Sequence, residues 1–235
     1  MDEQFEHKNT AEASPLEEEA APAEAAKSGF NLGKEIFEWV YTIAIALVIA
    51  FLIKGFVFDV VKVDGQSMYP TLHNNDRLIV TKLGYKPQQG DIIVLDSTYK
   101  NRMAYYADLE ASTGETYNFF EKLINYNSLP ENLKRKYYVK RIIALPGQTV
   151  NIVNGKVLVD GAELEEPYYD GITTITDPTV SYPVTVEDDM VFVMGDNRPN
   201  SQDSRSSVLG QVPIDAIMGK SQLRILPLSS FGLTR

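Results

Sequence analysis

The sequence predicts a mainly β, antiparallel domain behind one N-terminal membrane-spanning helix, with a small helical insert. Three observations carry that prediction. A single long apolar run lies near the N-terminus, at residues 36–58. Beyond it, short β-branched segments alternate with Gly, Asn and Asp turn signals, the pattern of an antiparallel sheet. One stretch, residues 117–124, instead repeats its apolar residues at helical spacing.

The chain has 235 residues, of which 44% are hydrophobic and 23% charged, enough to bury a core as one large or two small domains. Its net charge of −10 is unevenly placed. Residues 1–35 hold nine acids and three bases, a net of −6, and are rich in Ala, Glu, Pro and Ser. Such a segment buries too little apolar surface to offset its chain entropy and is expected to be a disordered acidic tail. The remaining residues carry only −4, so there is no basic domain to grip a phosphate backbone, and nucleic acid is not expected as a partner. Cysteine is absent, which excludes disulfides, thiol catalysis and cysteine-ligated metals. The two histidines, His7 and His73, are too few for a histidine-rich metal site.

The apolar run "IFEWVYTIAIALVIAFLIKGFVF", residues 36–58, is expected to be the anchor. Its uncharged part, Trp39 to Ile53, has 15 residues, short of the roughly 20 that span hydrocarbon. Lys54 can snorkel outward while Gly55 to Phe58 continue the apolar character, and Trp39 and Tyr41 suit the interface. A cleaved signal peptide fits badly, because the preceding region is acidic and no Ala-x-Ala site follows. Lys27 and Lys34 precede the run and Lys54 and Lys62 follow it, so the count of bases leaves the orientation open.

From residue 59 to 235 the pattern is that of the β-rich domain. "VFDVVKVDG", "DRLIVTKLG" and "GDIIVL" read as strands. "TVNIVNGKVLVDG" reads as a hairpin around Asn154-Gly155, and "DMVFVMGDN" and "KSQLRILP" as further strands. The insert is placed at about 103–136. There Tyr117, Phe120, Leu123 and Ile124 form a helical face, and "SLPE", residues 128–131, is expected to be a capping box opening a second short helix.

Chemistry enters with "GQSMYP", residues 65–70, a serine just past the anchor. Ser67 is a nucleophile only if a base takes its proton. His73 lies in the polar "TLHNND" and reads as a solvent-facing turn residue. The other candidate is a lysine kept neutral by desolvation, and Lys140 in "YYVKRIIALPG" has apolar flanks. Alternation sends Lys140 to the face of Tyr138 and Ile142, toward a core or, equally, to an edge where it discourages aggregation. "GDNRPNSQDSR", residues 195–205, is a long polar turn that can surround a site or be only a loop.

In order along the chain, "SMYPTL", "GDIIVL", "YVKRIIALPG" and "GDNRPNSQDSR" resemble the motifs of bacterial type I signal peptidase, the membrane-anchored Ser/Lys leader peptidase. The resemblance implies a twisted antiparallel β catalytic domain on the outer face of the plasma membrane, with the N-terminal tail cytoplasmic. It implies Ser67 as nucleophile and Lys140 as general base. Ser201 matches the family's hydroxyl that hydrogen-bonds the lysine, Asp203 and Arg205 its structural salt bridge, and Gly195 the residue that keeps the site open. Met68 and Tyr138 would lie beside substrate. The implied reaction removes signal peptides from exported preproteins at small-x-small sites near the secretion translocon, with no metal and no cofactor. Repressor-type self-cleaving proteins share a Ser/Lys pair but carry a DNA-binding domain where this chain has an anchor. A catalytically dead membrane-anchored binding module is the other class, and would be expected to have lost Ser67 or Lys140. Gly65 stands where one branch of the family has a serine. An ordinary backbone there predicts that Gly65→Ser is tolerated, whereas a positive φ predicts that it is not; the first reading is preferred.

Overall fold

The computed structural model describes residues 32–234. The expected disordered tail lies, but for its last four residues, outside the described residues. The chain divides into two compact units with the boundary between Ile45 and Ala46. Helix α1 spans Leu32–Leu52 and continues through a π-helical turn, Ile53–Val57. Together they make 26 residues, long and apolar enough to cross a membrane. At about 1.5 Å per residue this is about 39 Å, more than the roughly 30 Å of a hydrocarbon core. The π turn therefore supplies the length that the uncharged run lacks.

The β-rich part begins with β1 (Phe58–Lys62) and β2 (Arg77–Thr81), followed by β3 (Ile92–Asp96). The insert contributes α2 (Tyr99–Thr113) and α3 (Phe119–Ile124) before β4 (Tyr137–Ala144). Next come β5 (Thr149–Val153), β6 (Lys156–Val159), β7 (Ala162–Glu163) and β8 (Val184–Thr185). The chain ends with β9 (Met190–Met194), β10 (Val212–Pro213), β11 (Ile217–Leu226) and β12 (Gly232–Leu233). Among the described residues these make an eight-stranded sheet in the order β1-β2-β11-β3-β4-β9-β10, with β12 on β11, and a four-stranded sheet β7-β6-β5-β8. All the pairings are antiparallel.

The continuous apolar run in β3 has a simple cause: both faces of the strand are covered. Ile93 and Leu95 pack with Ile142, Val191 and Val193, while Ile92 and Val94 pack with Met68, Leu72 and Leu78. A register shift between Ile142 and Ala144 on the β4–β9 ladder puts Ile143 and Ala144 together in a third cluster with Phe192 and Met194. The predicted hairpin is β5–β6, with Asn154 at φ 51° and Gly155 at φ 80°. Two successive positive φ values are what a two-residue loop needs to match the twist of its strands.

The helical insert departs from its sequence pattern. It starts at Tyr99, because Arg102 at the first turn of α2 is buried against Asp96 at the end of β3. Thr98 Oγ1 donates to the same carboxylate at 2.7 Å, and Arg102 Nη1 to the Leu133 carbonyl at 3.3 Å. A helix tied down by a buried ion pair shows little apolar periodicity, so its first turn escaped the pattern. The capping box is at Asn118 and Glu121, not at "SLPE". Ser128 instead closes one 3₁₀ turn, Asn125–Ser128, and Pro130 precedes another, Glu131–Leu133, without a side-chain cap. Of the expected apolar face only Tyr117 packs inward, on the cluster of Tyr106, while Phe120 is 71% and Ile124 76% exposed. The insert buries Tyr106, Leu129 and Leu133 instead.

Candidate active site

Ser67 sits on the connection between β1 and β2, whose ends are closed by Val63 N–H donating to the Asp76 carbonyl at 2.8 Å and Asn75 N–H to the Val63 carbonyl at 2.9 Å. Met68 and Leu72, each 1% exposed, peg the middle of this segment into the core. Gly65 has φ 100°, and its N–H donates to Asn74 Oδ1 at 3.1 Å. Among the described residues, no heavy atom beyond its two chain neighbours lies within 4 Å of where a Cβ would stand. The glycine therefore answers a backbone need and not a lack of space. This overturns the preferred sequence reading of an ordinary backbone at Gly65.

Lys140 lies on β4 opposite Ile93 and is 2% exposed. Its Nζ is 2.7 Å from Ser67 Oγ. Burial pushes the ammonium down from 10.5 to about 8, helped by the Arg205 charge and opposed by Asp203 and Asp196. The alternation argument holds in its core-facing form: Tyr138 and Ile142 pack on the cluster around Ile93 and Leu95, with Lys140 between them. The Tyr138 ring centre is 5.3 Å from Lys140 Nζ, and its hydroxyl donates to Gln202 Oε1 at 3.2 Å. His73 is exposed and packs edge-on against Tyr69, with ring centres 5.1 Å apart. Among the described residues Ser67 Oγ is hydrogen-bonded to Lys140 Nζ and not to His73. Ser67 and Lys140 open on a cleft of about 290 Å³, whose lining includes Gln66, Met68, Tyr138 and Gln202. Met68 thus borders the cleft but spends nearly all its surface in the core.

The 195–205 turn wraps the back of this pair. A Cβ on Gly195 would lie 2.3 Å from the Ser67 carbonyl oxygen and 2.2 Å from Ser201 Oγ, so only glycine fits. Its N–H donates to Asp203 Oδ2 at 3.0 Å. Arg205 clamps that fully buried carboxylate through Nε at 2.8 Å and Nη2 at 2.9 Å, as the motif implied. Ser201 differs from expectation. Its Oγ is buried without a hydrogen-bond partner among the described residues, against Gly195 and not on Lys140.

Three further groups were not singled out by sequence reasoning. Asp196 accepts two bonds from Arg141, at 2.9 and 2.7 Å, and one from Thr71 Oγ1 at 2.5 Å, tying the Ser67 segment to β4. Arg198 is buried against Glu166, and its Nε donates to the Gly195 carbonyl at 3.0 Å. Asn197 donates to the Ser67 carbonyl through its N–H and to the Gln66 carbonyl through Nδ2, both at 3.0 Å. In the sequence these are polar residues of a loop, and nothing in their spacing tells a buried clamp from a solvated turn. What the assembly can do chemically is limited and definite. It holds one hydroxyl against one amine that burial makes easier to deprotonate than a free lysine.

A family model described as signal peptidase, peptidase S26, matches residues 36–226. Signal peptidase I S of Bacillus subtilis (strain 168) is 36% identical over 213 residues, covering 86% of this chain and 95% of that protein. Signal peptidase I of Leptolyngbya laminosa is 35% identical over 216 residues, covering 90% of each. Probable signal peptidase I-1 of Synechocystis sp. is 38% identical over 192 residues, covering 80% of this chain and 81% of the other.

Proposed function

The chain belongs to the signal peptidase family, peptidase S26, and on that premise we propose that Ser67 and Lys140 form the dyad of a membrane-anchored endopeptidase. Membership makes it a serine peptidase that removes signal peptides from preproteins, held to the membrane by its apolar N-terminal helix. The observation that carries the dyad is the 2.7 Å approach of Lys140 Nζ to Ser67 Oγ, with the lysine pushed down to about 8.

In this reading Ser67 Oγ attacks the carbonyl carbon of the scissile peptide bond and passes its proton to Lys140 Nζ. The carbonyl π pair moves onto oxygen, giving a tetrahedral oxyanion. Collapse of that intermediate breaks the C–N bond, and the leaving amine of the mature protein takes the proton from Lys140. Lys140, neutral again, removes a proton from the water that attacks the acyl carbon, and returns it to Ser67 Oγ as the acyl–Oγ bond breaks and the signal peptide leaves with its new carboxylate. Arg205 and Asp203 hold the turn behind Lys140 while their charges act on it in opposite senses. Gly195 leaves room for the Ser67 carbonyl, and Tyr138 and Met68 line the substrate cleft. Ser201 packs against Gly195, beside the dyad.

The tail, residues 1–35, is cytoplasmic in this reading, residues 36–58 span the plasma membrane, and the domain from 59 onward works outside it, close to the translocon. Specificity for small-x-small (Ala-x-Ala) sites follows from shallow apolar pockets that reject larger side chains by clash. An extended substrate gains affinity by adding to a sheet edge.

The test uses the full-length protein in detergent micelles with a model preprotein carrying one Ala-x-Ala site, the cut being mapped by mass spectrometry. A single cut after the second alanine is expected, absent from Ser67→Ala and Lys140→Ala. Cleavage by either variant, or a cut at unrelated positions, would overturn the assignment.

A further inference from the structure

An acyl-transfer site needs donors aimed at the oxygen that becomes negative, and one such donor is worth about 10²–10³ in rate. Gly65, two residues before Ser67, has no side chain to offer. The backbone N–H of Ser67 is free: among the described residues it has no acceptor. It belongs to the same planar, trans peptide unit as the Gln66 carbonyl, so the two point in opposite directions. Whatever fixes the Gln66 carbonyl therefore aims the Ser67 N–H.

Two donors fix it. Tyr69 N–H reaches the Gln66 oxygen at 3.1 Å, and the Asn197 carboxamide reaches it at 3.0 Å. Asn197 also holds the next carbonyl, that of Ser67, through its own N–H at 3.0 Å. The orientation of its amide is settled by the Gln66 carbonyl, which can only accept, and Asn200 Nδ2 then donates to Asn197 Oδ1 at 3.2 Å. One residue thus grips the carbonyls on both sides of Ser67, and the free N–H is directed away from it.

We propose that Asn197 is a positioning residue for the oxyanion donor. Its side chain sets the tilt of the Gln66–Ser67 peptide plane and, by polarising the Gln66 carbonyl, strengthens the N–H on the opposite side as a donor. This rests on the reading of Ser67 as nucleophile. The requirement is for a short side chain with an N–H donor. Aspartate has the same shape but would set oxygen against oxygen. Alanine removes the donor while keeping the backbone bond to the Ser67 carbonyl, so the turn stays docked.

The experiment compares full-length wild type, Asn197→Asp and Asn197→Ala. It measures kcat and KM on a model preprotein, inhibition by a peptide aldehyde, and binding of an uncleavable peptide of the same sequence. The aldehyde adds to Ser67 and places its oxygen where the oxyanion forms, whereas the uncleavable peptide does not. Expected is a loss of about 10- to 100-fold in kcat, part of what a whole donor contributes. Aldehyde affinity should fall by a similar factor, while KM, uncleavable-peptide binding and the pH midpoint of kcat stay put. Unchanged kcat in both variants overturns the proposal. So does parallel weakening of aldehyde and uncleavable peptide, or a moved pH midpoint, each of which marks a general structural role. An aldehyde that never modifies wild-type Ser67 would instead sink the underlying reading of the nucleophile.

Discussion

In the proposed reading, Lys140 serves chemistry at the expense of the fold. Its ammonium is pushed from 10.5 to about 8 by burial, so the unfolded chain holds more protons than the folded one between those values. Stability therefore rises with pH across that window, and the penalty is fully present below about pH 8. It amounts to about 3 kcal/mol at about 1.4 kcal/mol per unit. Lys140→Met should raise the melting temperature at pH 7, with the gain shrinking toward pH 10 in a calorimetric series, while cleavage is lost. Cleavage by the wild type should climb with pH through about 8, and a flat profile from pH 6 to 9.5 would contradict a titrating lysine. Lys140→Arg should be inactive because arginine stays charged, whereas His73→Ala keeps most of its activity. Gly65 is the second residue whose role is plain only in three dimensions. At φ 100° a Cβ is strained by about 1–3 kcal/mol, so both Gly65→Ser and Gly65→Ala should lose cleavage activity or melt several degrees lower. The sequence offered both backbone readings there, because a turn such as "DGQS" does not reveal its own dihedral angles.

Among the elements, those whose signal is hydrophobic pattern were legible, and those held by polar burial were not. The runs in β3, β4, β9 and β11 and the Asn154-Gly155 hairpin could all be read directly, since alternation, length and turn chemistry are local properties. The first turn of α2 was invisible because it is secured by Arg102 in the Asp96 carboxylate, a contact between an insert and the strand before it. Around Ser67 the same division holds. The resemblance gives roles to Ser67, Lys140 and the Asp203–Arg205 clamp, whereas Arg141, Asp196, Asn197 and Arg198 stand in the same motifs but their contacts depend on which polar side chains turn inward. The insert gives this point a test. Arg102→Ala leaves Asp96 buried and unpaired, which costs about 3–5 kcal/mol. Amide hydrogen exchange in residues 98–135 should quicken well before that of β4 and β9, and signal-peptide cleavage at 25 °C should persist. Equal loss of protection in the strands would show that the insert is part of the core.

Across the whole molecule, the order of apolar, β-branched and turn residues separated an apolar N-terminal helix from a β-rich remainder, and the comparisons supply the activity that such patterning does not. The same scale exposes a property of the loop behind Ser67 and Lys140. Arg141 with Asp196, Arg198 with Glu166 and Arg205 with Asp203 are three buried couples, each internally neutral. Mobile ions screen exposed charges over about 8–10 Å in ordinary buffers but reach buried pairs far less. The surroundings of Lys140 should therefore be deaf to ionic strength. With an uncharged peptide substrate, kcat and its pH midpoint should stay within about twofold and about 0.3 units from 20 mM to 1 M sodium chloride, because so little of the field at Nζ comes from charges that salt can reach. An enzyme built this way would keep one working pH in fresh water and in brine.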